Sequence, residues 1–228
     1  MNTNVCYTCI FGDCDDLKEQ KHISENFDYI CFTDNKNLKS KTWKIVYINN
    51  LNFGEKKNSR YIKILPHLYL NKYEFSIYID ASLTCQDDLN LIKNHICKDK
   101  NCFIYLIPHH ERNCIYHEFF GCLQWKKDDP QIMYNQLLKY HKEKFPYNYG
   151  LSNNCIICRY HNDNRCIRLM NKWWNEILNG SYRDQLSLFY SIWKTKLKNN
   201  ICVINSRDLY YIYKCFDYIN SYYHKKYY

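Results

Sequence analysis

Glycine and proline are scarce, 5 and 4 among 228 residues. Their scarcity excludes collagen-like and linker-rich chains, whose backbones depend on those two residues. Long apolar runs are missing too. No stretch approaches the roughly 18 apolar residues that a membrane-crossing helix requires. The opening residues Met1, Asn2, Thr3, Asn4 and Val5 have neither a basic start nor an apolar continuation, so no secretory signal is expected. The 14 cysteines are then expected in a reducing, cytoplasmic setting, as free and mostly buried thiols. Two Cys-x-x-Cys pairs, Cys6/Cys9 and Cys155/Cys158, fall in β-like runs. Residues three apart on a strand leave opposite faces, so a shared structural zinc is geometrically poor.

What is present is aromatic and basic. Tyrosine occurs 24 times, and aromatics make up 18% of the chain, enough to fill a sizeable core. The length suits one α/β domain over 1–228, with a Tyr/Lys-rich helix or tail from about 207. A formal charge of +9 suits nucleotide diphosphates or anionic glycans as well as nucleic acid. No nucleic-acid motif accompanies the charge, so no specific nucleic-acid partner is expected.

Periodicity predicts buried strands over 5–11, 27–33, 43–48, 75–82, 101–108, 151–160 and 201–204. Helices are predicted over 58–73, 87–96 and 128–140, along the stripe from Ile167 to Leu178, and over 186–193. The strand 75–82 is the organising one. It is apolar up to Ile79 and then meets Asp80 and Ser82, which leave one face of extended backbone and can reach the same cation or polar ligand. Ligands bind at such carboxyl ends in open α/β sheets; the alternative is a strand-ending Asp that caps the next helix. The loop 12–16 leaves the end of the first strand and is a second candidate contact. Arg60, Lys63 and His67 recur at helical steps, as a phosphate-facing row or a solvated face. Residues 109–118 are dense in ionisable groups. His110 and Cys114 share a helical face there, but no established metal-ligand spacing is met. Asp184 follows Ser181 in a capping-box pattern, which gives it a structural alternative. Trp173 and Trp174 read as core rather than as a sugar platform.

Six motifs occur in one order: Tyr7-Thr8-x-Ile10-Phe11-Gly12-x-x-Asp15; Tyr29-Ile30-Cys31-Phe32-Thr33-Asp34; Arg60-x-x-Lys63-x-x-Pro66-His67; Ser76-Ile77-Tyr78-Ile79-Asp80-Ala81-Ser82; Arg112-x-Cys114-Ile115-Tyr116-x-Glu118; and Arg183-Asp184-Gln185-Leu186-Ser187. Together the chain resembles the mucilage-related, TOD-type glycosyltransferase-like domain, over about 5–194. The resemblance implies an α/β, GT-A-like fold of the nucleotide-diphospho-sugar transferases, a mostly parallel central sheet flanked by helices. It implies a glycosyltransferase, in first place a hexosyltransferase, using a nucleotide-diphosphate sugar and a divalent metal, Mn or Mg. The acceptor is a glycan, protein or lipid.

The Asp-x-Asp position of such folds is Asp80-Ala81-Ser82, so Asp80 and Ser82 are the implied metal ligands. Implied donor contacts are Phe11, Gly12, Asp15, Asp34, Arg60, Lys63, His67, Asp80, Ser82 and Arg112; the implied catalytic group is Asp184, Gln185 and Glu118. Two departures stand out. Serine replaces the second acid, and His110 stands where a His-Pro-x-Arg stretch has proline. Alternatives are a non-catalytic nucleotide-sugar or glycan-binding module, and a ceramidase-like lipid amidase, for which no His-x-His or Ser-x-x-Lys arrangement is present.

Overall fold

The computed structural model describes residues 2–12, 15–49 and 51–217. Seven strands form one sheet in the order β3-β2-β1-β4-β6-β5-β7. They are β1 (Asn4–Ile10), β2 (Phe27–Thr33), β3 (Lys44–Tyr47), β4 (Phe75–Ile79), β5 (Ile104–Pro108), β6 (Ser152–Arg159) and β7 (Ile201–Val203). All neighbours pair in parallel except β6, which runs antiparallel to both β4 and β5. The central strand β1 is buried along its whole length, which is why it reads as a continuous apolar run. Alternate residues serve two cores: Val5, Tyr7 and Cys9 pack on one face, Cys6 and Ile10 on the other.

Helices cover both faces: α1 (Glu55–Ile64), α2 (Asn90–His95), α3 (Ile115–Gln124), α4 (Pro130–Lys142), α5 (Asn164–Asn179), α6 (Leu188–Thr195) and α7 (Leu209–Cys215). Asp129 caps α4 by accepting from the amides of Gln131 and Ile132, with Pro130 at the first position as expected. The α5 stripe buries Leu169, Met170, Trp173 and Ile177 in the core above α1.

Several boundaries differ from expectation. The helix predicted over 58–73 ends at Ile64, because Pro66 disfavours helical backbone at Leu65, and a 3-10 turn Pro66–Leu68 follows. The strand predicted to 82 ends at Ile79; Asp80 donates its amide to the Cys155 carbonyl at 2.8 Å, then turns the chain by accepting from Leu83 N–H at 2.9 Å. The second helix begins at Asn90, whose amide Asp88 accepts at 3.0 Å. Residues 186–193 divide into a 3-10 turn Asp184–Leu186 and α6. The charge-rich stretch after β5 leads into α3, whose apolar and charged residues alternate too irregularly to announce a helix.

Cys155 and Cys158 both pack against the same core. A bulge displaces the register between Leu106/Ile107 and β6, and it breaks the alternation that separates Cys6 from Cys9. The thirteen described cysteines are free thiols. Among the described residues no helix is long and apolar enough to cross a membrane. The Tyr/Lys-rich end is helical over α7, while 218–228 lie outside the described residues.

Candidate functional site

The site is assembled at the carboxyl end of β4. β6 enters from that same end, and its bulge places Asn153, Asn154 and Cys155 beside Asp80. α1 runs past them with Arg60 and Lys63 on its inward side, and the 3-10 turn Asp184–Leu186 closes the far wall. Together they form an open cavity of about 300 Å³. Five cations (Arg60, Lys63, Arg112, Lys127, Arg183) and three carboxylates (Asp80, Glu111, Asp184) line it, an excess of positive charge that favours an anionic ligand.

Lys63 is the hub. Its Nζ lies 2.7 Å from Asp184 Oδ2 and 3.8 Å from Asp80 Oδ1, and 4.7 Å above the centre of the Tyr78 ring. Arg60 Nε lies 3.9 Å from Asp184 Oδ2 and donates to the Tyr182 carbonyl. Tyr78 O–H donates to Asp80 Oδ1 at 3.1 Å. Burial pushes the Asp184 carboxyl up, but Lys63, Arg60 and Arg183 outweigh it and hold the group well below the usual carboxylate range. Asp184 does not cap: no side-chain hydrogen bond caps either the 3-10 turn or α6. Its backbone is fixed from behind by Trp173, whose indole N–H donates to the Asp184 carbonyl at 3.1 Å. The buried tryptophan is thus core, as its periodicity predicts, and also positions the acid.

A second assembly stands on the opposite wall. Glu118 on α3 is buried and accepts from Arg112 Nη1 at 2.9 Å, with His109 Nε2 at 3.5 Å. His109 Nδ1 accepts from the amides of Glu111 and Arg112, so the ring is neutral with its proton on Nε2. Burial pushes its titration down, against the pull of Glu118. Nδ1 is committed to those two amides and Nε2 faces the Glu118 carboxylate, which leaves His109 a strut for the loop. The Arg112 guanidinium lies over α3 where Gly121 has no side chain; a Cβ there would stand 3.0 Å from Arg112 Nη1.

Of the residues expected in the site, Arg60, Lys63, Asp80, Ser82, Arg112, Asp184 and Gln185 share the cavity. Gln185 accepts from Arg183 and donates to the Ser152 carbonyl. Glu118 stands behind Arg112 rather than in the lining. Phe11 is wholly buried in the core. Gly12 turns at φ +65°, where a Cβ would collide with Glu55 at 2.4 Å, and its amide donates to Asp34. Asp34 thereby shapes the loop after β1, of which Asp15 is a part; none of these four lines the cavity. His67 is carried past the end of α1, away from the cavity, and its half-buried imidazole is pushed down by burial and by Arg159. His110 stacks on His109, while Cys114 is buried at the start of α3. Asn154, Trp125 and Arg183 were not expected as site residues. The reversed direction of β6 brings in Asn154, the end of α3 brings in Trp125, and Arg183 enters as the residue that starts the 3-10 turn of Asp184.

A family model for the TOD1/MUCI70, glycosyltransferase-like domain matches residues 2–211. The chain belongs to this family. Among solved structures, mouse xyloside xylosyltransferase 1 in its apo form is similar with a TM-score of 0.51 at 8% identity, over 88% of this chain and 84% of that one. At that identity the likeness is one of fold, and the fold of this TOD1/MUCI70 domain is GT-A-like. No curated protein matches it.

A GT-A-like fold raises the question of a divalent cation. Among the described residues no group of three or more His, Cys, Asp or Glu could hold one. Ser82 Oγ is buried without a hydrogen-bond partner, and Ser82 and Asp80 line the same cavity. One carboxylate and one hydroxyl fit a Mg²⁺-like ion that takes its other ligands from phosphates and water. The Lys63 ammonium beside Asp80 already supplies positive charge at that spot.

Proposed function

We propose that this domain is a glycosyltransferase that moves a hexosyl group from a nucleotide-diphosphate donor to an acceptor hydroxyl. The observation that carries this reading is Lys63, buried between Asp184 and Asp80 at a strand's carboxyl end and lining a cavity with excess positive charge. The Lys63 side chain, with Arg60, meets the negative charge that grows on the departing diphosphate. In transfer the bond from the anomeric carbon to the diphosphate oxygen breaks and a bond to the acceptor oxygen forms.

The acceptor's proton leaves with the diphosphate. A phosphate takes up its last proton near pH 6, well above the range in which Asp184 can hold one. Asp184 therefore orients Lys63, Arg60 and sugar hydroxyls and does not act as the base. Asp80 and Ser82 would hold a divalent cation, which when bound adds charge neutralisation on the phosphate oxygens. Glu118 positions Arg112, and Gln185 positions Arg183.

The test is a panel of nucleotide sugars incubated with the protein, with and without Mn²⁺, reading nucleoside diphosphate release. One donor should be cleaved above the rate of the Lys63→Met variant. A donor that binds without release would make the domain a binding module; a panel with neither binding nor release would overturn the reading.

A further inference from the structure

Four of the five tryptophans serve packing. Trp43 and Trp173 are buried, Trp174 packs on Phe53 and Tyr61, and Trp193 packs on Phe145 and Tyr190. Trp125 does none of this. It is 56% exposed, its ring and indole N–H have no partner among the described residues, and yet it lines the cavity. An exposed, unpacked tryptophan costs hydrophobic free energy that its fold does not recover.

Its position is held tightly. α3 closes with Lys127 N–H donating to the Cys122 carbonyl at 2.9 Å and Lys126 N–H donating to Leu123 at 3.1 Å. These bonds form the helix-ending motif that requires left-handed backbone at the residue after the cap. That residue is Lys126, at φ +46°, where glycine would be the unstrained choice. The turn sets Trp125 and Lys127 at the cavity's edge. Asn154 and Arg183 line the same cavity, and Asn154 Nδ2 and Arg183 Nε are buried donors without hydrogen-bond partners. An apolar flat surface beside unpaired N–H donors matches a pyranose, whose C–H face is apolar and whose rim carries hydroxyl acceptors.

We infer that Trp125 is the platform on which the acceptor stacks, and that the acceptor is a sugar ring of a glycan rather than a peptide or a lipid. The inference rests on the glycosyltransferase reading, with the phosphate-binding wall at Lys63 and the acceptor wall at Trp125. It is tested on protein carrying ¹⁵N-labelled indoles, with the Trp125 resonance assigned by its loss in Trp125→Phe. Methyl glycosides and short oligosaccharides should shift that resonance and leave Trp173 in place. Trp125→Ala should weaken sugar binding about tenfold and Trp125→Phe much less, while uridine, guanosine and cytidine diphosphate affinities stay within about twofold, as expected for a separate wall. Sugars that bind Trp125→Ala as tightly as wild type, or that shift no indole, would overturn the platform. A peptide or a detergent micelle shifting Trp125 in their place would overturn it as well. Failure of every nucleoside diphosphate to bind wild type would count against the donor reading, and sugar titrations of Trp125 still judge the platform.

Discussion

Two buried cations meet at the end of α1, and they are partnered in opposite ways. The Lys63 ammonium faces two carboxylates. Arg159, the last residue of β6 and wholly buried, donates to the Lys63 carbonyl at 2.7 Å, to the Ile64 carbonyl, to Tyr7 and to Met170 sulfur, with no carboxylate among these partners. Tyr7 O–H donates to the same Lys63 carbonyl at 2.8 Å. Arg159 thus satisfies the orphan carbonyls at a helix C-terminus, where a cation is favoured. Its work is done once α1 is in place. The Lys63 cluster carries more charge than holding a helix requires, and charge collected in a cavity is the mark of a site. One residue therefore spans both regions, structural through its carbonyl and functional through its side chain.

The largest effect should come from Arg159→Met. Losing charge-assisted hydrogen bonds to two carbonyls, each worth about 1.5–3 kcal/mol, should cost about 3–6 kcal/mol in urea unfolding. A cost under about 1 kcal/mol would break the contrast by making Arg159 dispensable to the fold.

Acidification should separate the two regions. His161, buried near Arg159 and donating Nε2–H to the Leu70 carbonyl, is pushed by burial from 6.5 down to about 4. The unfolded chain protonates this imidazole first, so unfolding takes up a proton and stability falls as pH drops through that window, by about 3 kcal/mol at pH 4. The Asp184 carboxyl is shifted downward, so its contribution is present above the ordinary carboxylate value of about 3.9 and is lost only below it. His161→Gln should flatten the stability profile between pH 6.5 and 4, and Asp184→Asn only below about pH 4. His67 and His109, also pushed down by burial, retain part of the first slope in both variants. Equal flattening by both substitutions in the first window would contradict the assignment.

The parts legible in the sequence were those written in local pattern. β1, β2 and β4 are continuous apolar runs because both their faces are buried, and the α4 cap and the α5 stripe follow from chemistry within a few residues. Arg60 and Lys63 on one face of α1, and Asp80 at a strand end, were readable for the same reason. Other features depend on elements distant in the chain. Asp184 looks like a capping residue locally, and only the packing of its turn against α1 makes it the partner of Lys63. Cys155 and Asn154 reach their positions through a bulge opposite β5, and Trp125 through the end of an unforeseen helix. His67 failed for a simpler reason: Pro66 ends the helical row before it.

The central claim is that the side chain of Lys63, with Arg60, receives a diphosphate. Calorimetric titration of uridine, guanosine and cytidine diphosphate into wild type, Lys63→Met and Arg60→Met tests it most directly, with circular dichroism to verify the fold of each variant. At least one nucleotide should bind wild type, and Lys63→Met should weaken that binding by roughly 10²-fold, the loss of about one charge-assisted contact in a water-poor site. Arg60→Met should weaken it less, since that side chain is more exposed to water. A folded Lys63→Met protein that binds the same nucleotide as tightly as wild type would contradict the account.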